Sequence, residues 1–110
     1  MSISEATFHE LVDQTQRQIE DLLEATDLDF DLENSGGILT IICENQSQVI
    51  ISRQAPLKQL WVAARSGGFH FDYDNEQQQW VDSSSAQPLA ERLQAVFSEQ
   101  AGESVDFSSL

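Results

Sequence analysis

Cysteine and methionine occur once each in this 110-residue chain, proline twice, and lysine and arginine together five times. Each shortage excludes something. Cys43, standing alone, cannot close an internal disulfide, which sets aside the small scaffolds held by cross-links and points to a reduced, cytoplasmic setting. No apolar run approaches the ~18 residues needed to span a bilayer. Met1 to Glu10 lacks the charged, then apolar, then small-residue order of a secretory leader. Five bases against 19 acids leave a formal charge of -14, which disfavours nucleic acid and anionic membrane as partners, because phosphate is held mainly by lysine and arginine. Cations and basic protein surfaces remain.

What the chain has instead is acid, concentrated in one stretch. From Glu20 to Glu33 seven of fourteen residues are carboxylates, and no base interrupts the sequence between Arg17 and Arg53. Like charges this close repel one another at neutral pH unless a cation or a basic partner screens them. The alternative is an ordinary solvated face, since charge runs often do no more than that. Disorder is excluded, because 40% of the residues are hydrophobic, enough for one core in one domain of this length.

Phe8, Leu11, Val12, Thr15, Ile19, Leu22 and Leu23 recur at helical spacing, with Ser4 or Thr7 as the cap and Thr7–Glu10 as a capping box. The other face carries Glu10, Asp13, Arg17, Glu20, Asp21 and Glu24, so the helix ends in acid where its dipole favours a base. A local rule broken without compensation is where function is sought. Leu28, Phe30 and Leu32 then alternate with Asp27, Asp29, Asp31 and Glu33, which predicts one strand with its carboxylates outward. After the turn at Gly36–Gly37, β-branched runs over 38–44 and 48–53 predict a hairpin, followed by strands at 59–64, 69–73 and 79–82. Leu89, Leu93, Val96 and Phe97 predict a second amphipathic helix, Pro88 lying at its start and Gly102 at its stop.

The order helix, about six strands, helix predicts an α+β fold: two helices packed on one face of a mainly antiparallel sheet, one domain over 1–102, and a mobile tail over 103–110. The predicted inward residues are Leu39, Ile41, Cys43, Val49, Ile51, Leu60, Val62, Phe69, Phe71 and Tyr73. Their neighbours Thr40, Ile42, Ile50, Ser52, Gln59, Trp61, Ala63, His70 and Asp72 face the helix-free side. A tryptophan among isoleucines on a rigid sheet is a candidate protein-binding patch, the alternative being that loops or a second copy cover it.

The run Arg53-Gln54-Ala55-Pro56-Leu57-Lys58-Gln59-Leu60-Trp61, then Gly67-Gly68-Phe69-His70-Phe71-Asp72-Tyr73 and Trp80, behind an acidic helix end and strand, resembles the frataxin family and more closely its bacterial branch. The resemblance covers nearly the whole chain. It implies a cytoplasmic protein of iron-sulfur cluster assembly that binds Fe2+ and Fe3+ weakly, is a monomer without iron, and contacts a cysteine desulfurase and its iron-sulfur scaffold protein as an iron-responsive regulator or an iron donor. By position, the implied iron ridge falls on Glu20, Asp21, Glu24, Asp27, Asp29, Asp31 and Glu33, and the implied partner contacts on Ser52, Gln59, Trp61 and His70. Two positions depart from the family pattern: Ser52 stands where asparagine is usual, and His70 where eukaryotic members carry arginine.

The chemistry of the residues agrees with weak, exchangeable binding. Carboxylate oxygens are hard donors that suit magnesium, calcium, manganese and iron, and without His or Cys in the ridge selectivity is low. One or two protein ligands per ion, water filling the rest, give affinities on the order of 10⁻⁶ to 10⁻⁴ M. His9 and His70 are additional ligand candidates, although a lone histidine is more often a surface or hydrogen-bonding residue. No nucleophile is paired with a base and no glycine-rich phosphate loop occurs, so the chain is read as a non-enzyme. Iron storage with ferroxidase activity and an acidic mimic of nucleic acid are the alternatives.

Overall fold

The computed structural model describes residues 3–102, 105–107 and 110. Helix α1 spans Glu5–Glu24, and Ser4 is its cap, its hydroxyl accepting from the Thr7 amide at 3.1 Å. Six strands follow, β1 (Asp31–Ser35), β2 (Ile38–Ile42), β3 (Gln48–Gln54), β4 (Gln59–Ala64), β5 (Gly67–Asp74) and β6 (Gln79–Asp82), and then helix α2 (Leu89–Gln100). The strands pair in sequence order as one antiparallel sheet, β1 and β6 being its edges. This is the predicted α+β arrangement.

One apolar core joins the two helices to one sheet face. It contains Phe8, Val12, Ile19 and Leu23 of α1, Leu89, Leu93, Val96 and Phe97 of α2, and Leu39, Ile41, Val49, Ile51, Leu60, Val62 and Phe71 of the sheet, all buried. Phe69 and Tyr73, also predicted inward, are half-buried against it. Trp80 is buried from β6, its ring edge-on to Phe8 and Tyr73, and its Nε1 donates to Thr15 Oγ1 at 2.9 Å. That bond gives the indole the polar partner a buried tryptophan needs.

Three features depart from expectation. The predicted strand over 27–33 begins at Asp31. Before it the helix end continues as a turn, with the Thr26 amide donating to Leu23 O and Thr26 Oγ1 accepting from the Leu28 amide. Strand pairing also has nothing to run on there: Asp31 faces Ile42, the last residue of β2. Leu28 and Phe30 still turn toward the core, Phe30 meeting Phe97 edge-on at 5.5 Å. Second, Val105 and Phe107 are buried, Phe107 packing 5.4 Å from Phe97, where a mobile tail was predicted. Their apolar burial outweighs the entropy of a free tail. Glu103, Ser104, Ser108 and Ser109 lie outside the described residues.

Third, a polar residue sits within the apolar stripe of α1. Gln16 is buried, and its Nε2 donates at 2.9 Å to both Gly37 O and Ile51 O. Its Oε1 accepts from Arg53 Nη2, which also donates to Asp13 Oδ1 at 2.6 Å, while Arg53 Nη1 donates to His9 Nδ1 at 3.2 Å. A Cβ on Gly37 would stand 3.3 Å from this guanidinium, and its φ of +80° suits glycine. The network ties α1 to the β1–β2 turn and to β3.

Candidate functional site

The seven ridge carboxylates form a band along one side of the molecule. Glu20, Asp21 and Glu24 leave the last turns of α1, which contain no base. Asp27 and Asp29 follow on the irregular segment, and Asp31 and Glu33 lie on the edge strand β1. All are exposed except Glu20, which is half-buried and accepts from Asn34 Nδ2 at 3.1 Å. That bond joins the helical part of the band to its strand part. Sequence reasoning passed over Asn34, although it shares the strand parity of Leu32, which faces the helices.

Asp31 and Glu33 have the opposite parity and stand on the helix-free face. Across the first ladder Asp31 pairs with Ile42 and Glu33 with Thr40. The band therefore runs over the sheet edge and meets the second candidate surface. Among the described residues no three His, Cys, Asp or Glu side chains converge as a metal cage. The geometry suits cations held by one or two carboxylates with water in the other positions.

On the helix-free face Ser52, Trp61 and His70 lie side by side across three strands. The indole of Trp61 stacks on His70 with centroids 4.3 Å apart and planes 15° apart. Trp61 Nε1 donates to Gln59 Oε1 at 3.0 Å, and Gln59 Nε2 donates to Asp72 Oδ1 at 3.2 Å. The four predicted contact residues are thus brought together, with Asp72 as a fifth member. Trp61, Gln59 and Ser52 are half-buried and His70 exposed, and the stack and the hydrogen bond to Gln59 hold the indole in place. Ile38, 45% exposed and opposite Ser35, extends the apolar character toward the ridge. It was missed, although it has the parity of Thr40 and Ile42.

A family model described as a frataxin-like domain matches residues 1–103. This chain belongs to the frataxin family. Curated relatives in the same family include the iron-sulfur cluster assembly proteins CyaY of Pseudomonas fluorescens strain Pf0-1, 54% identical, and of Stutzerimonas stutzeri strain A1501, 56% identical, each match covering all of both chains. Among solved structures, the frataxin of Psychromonas ingrahamii superposes with a TM-score of 0.87 at 36% identity, over 96% of this chain and 98% of that one. Trimeric frataxin of Saccharomyces cerevisiae, complexed with ferrous iron, superposes with a TM-score of 0.66 at 28% identity, over 94% of this chain and 90% of the other. The family's two-helix, six-stranded sandwich is the fold described above.

Proposed function

We propose that this protein acts in iron-sulfur cluster assembly, holding ferrous and ferric iron weakly on its acidic ridge and adjusting a cysteine desulfurase and its scaffold protein in response to iron. The observation that carries this reading is the continuity of two unlike surfaces. A band of carboxylates turns over the β1 edge onto a sheet face centred on a pinned tryptophan, in a chain 54–56% identical to proteins named for that process. The yeast relative complexed with ferrous iron supports iron as the cation.

In this reading Glu20, Asp21, Glu24, Asp27, Asp29, Asp31 and Glu33 have two tasks. Their oxygens hold iron, and their field steers a basic surface of the desulfurase, since complementary charge raises the association rate and suppresses wrong partners. Iron on the ridge cancels part of that field, so each iron level presents the desulfurase with a different surface. Ser52, Gln59, Trp61 and His70 meet the scaffold by shape and apolar contact, with Trp61 as the anchor. The protein works in the cytoplasm and is a monomer without iron, which gel filtration in chelator tests. None of the described helices is long and apolar enough to cross a membrane.

The deciding experiment is the anaerobic rate of cluster formation by a desulfurase and scaffold, with and without this protein, as ferrous iron is raised stepwise. Slowing that deepens with iron is the expected result. An unchanged rate at every iron level would reduce the protein to a weak acidic metal binder.

A further inference from the structure

Of the two histidines, one has polar partners at its ring nitrogens and one does not. His9 Nδ1 accepts from Arg53 Nη1 at 3.2 Å, and its Nε2 stands 3.8 Å from Glu5 Oε1, so both ring nitrogens have neighbours and the guanidinium cation disfavours a second cation beside them. His70 has no such neighbour. Its ring nitrogens have no hydrogen-bond or ion-pair partner among the described residues, and its ring lies against Trp61. Two residues on, Asp72 leaves the same face of β5, about 7 Å away along the strand by ideal geometry. Both side chains are engaged by β4: His70 stacks on Trp61, and Asp72 Oδ1 accepts from Gln59 Nε2. Trp61 Nε1 closes the square by donating to Gln59 Oε1. Asp72 Oδ2 is left without a partner among the described residues, and no base stands across from the pair. Asp72 faces Val81 across the β5–β6 ladder, and His70 O accepts from the Ser83 amide.

We propose that His70 and Asp72 hold a divalent transition-metal ion of the Co2+, Ni2+ or Fe2+ kind on the sheet face, at a site separate from the acidic ridge. An imidazole nitrogen and a carboxylate oxygen on alternate residues of one strand supply two cis ligands, and water supplies the rest. Imidazole is a borderline donor suited to these ions, and the ridge has none, so the two sites differ in what they select. The stack on Trp61 restrains the ring plane and Gln59 orients the carboxylate, the supporting role that neighbours play around ligated metals. From β1 to β5 the sheet crosses four strand spacings, roughly 19 Å, so an ion at one site does not touch the other. The site does not depend on the reading of the ridge.

The test uses the full chain labelled with ¹⁵N and titrated in parallel with Co2+ and Mg2+ while amide resonances are followed. Co2+ broadens the amides around Gln59, Trp61, His70 and Asp72 as well as those of the ridge, whereas Mg2+ affects the ridge alone. His70→Ala, at an exposed position, removes the sheet-face broadening and leaves the ridge response and the remaining amide shifts as they were. Asp72→Asn weakens the sheet-face response by at least the ~10-fold that loss of even an outer-shell partner costs. Sheet-face amides that stay sharp when Co2+ saturates the ridge overturn the site, as does broadening that survives in His70→Ala.

Discussion

The ridge and the helix-free sheet face adjoin along β1 and β2, yet they are built on opposite terms. Six of the seven ridge carboxylates are exposed, and Glu20 has the one hydrogen bond described among them, to Asn34. On the sheet face Trp61, Gln59, His70 and Asp72 hold one another through a stack and two hydrogen bonds. In the proposed reading the first surface acts through its field, which tolerates loose side chains and is screened by salt. In the same reading the second acts through shape, which needs side chains already in place. If the proposed function holds, the molecule keeps these two modes on neighbouring surfaces.

The largest expected effect tests whether the field serves both iron and partner. Replacing Asp27, Asp29 and Asp31 together by Lys should abolish iron binding and weaken desulfurase association by ~100-fold or more, since like-charge juxtaposition costs several kcal/mol. Calorimetry with iron and a pull-down at two salt concentrations read the two losses separately. Partner affinity that persists would uncouple the two tasks.

Next is the framework beneath both surfaces. Gln16→Leu removes the side-chain hydrogen bonds to the carbonyls of Gly37 and Ile51 and one partner of Arg53, leaving Gly37 O only the 3.4 Å contact from Arg53 Nη2. A loss of about 2–3 kcal/mol in urea unfolding should follow, with iron affinity at 25 °C unchanged. A fall in iron affinity would mean that the network also sets the ridge geometry.

A smaller effect separates shape from field. Trp61→Ala should weaken the scaffold contact by roughly 30-fold, about 2 kcal/mol for an interface anchor, while calorimetry finds iron binding intact. Unchanged scaffold affinity would make the sheet face an ordinary solvated surface.

The smallest effect contrasts displayed acid with acid used inside the fold. Asp82 is buried, and its Oδ1 accepts from the Ser84 hydroxyl at 2.7 Å and from the Ser84 and Ser85 amides. The Ser84 hydroxyl first, then those amides and the Arg92 charge, hold its carboxyl below the ordinary range against the opposing effect of burial. A folded-state value below the unfolded one means this stabilisation is full above the ordinary carboxylate pKa of about 3.9 and is lost as pH falls through the lowered value. Asp82→Asn should therefore cost about 1 kcal/mol at neutral pH, and thermal melts of the two proteins should converge in acid. A gap that stays constant with pH would assign the loss to packing.

Much of this arrangement was legible because it follows from period. Alternation in 38–42, 48–54 and 59–64 placed each inward residue correctly, and helical spacing picked out the core side of α1 and α2. Alternation also put Ser52, Gln59, Trp61 and His70 together on the helix-free face, and the acid run predicted an exposed band of carboxylates. What escaped depends on partners far along the chain. Gln16 stands four residues after Val12 and three before Ile19, so its position on the stripe was readable, but the carbonyls that satisfy it belong to residues 37 and 51. The start of β1 was misplaced because alternation of burial persists through Leu28 and Phe30 after the ladder has ended. Val105 and Phe107 were only two apolar residues in a polar segment, too few to outweigh the usual freedom of such segments.

Those two residues bear on how the molecule is made. The ring of Phe107 fills its place against Phe97 only after α2 and the segment beyond it have been synthesised. A chain cut short after Gln100 would lack the ring that covers Phe97 and leave apolar surface exposed to chaperones and proteases.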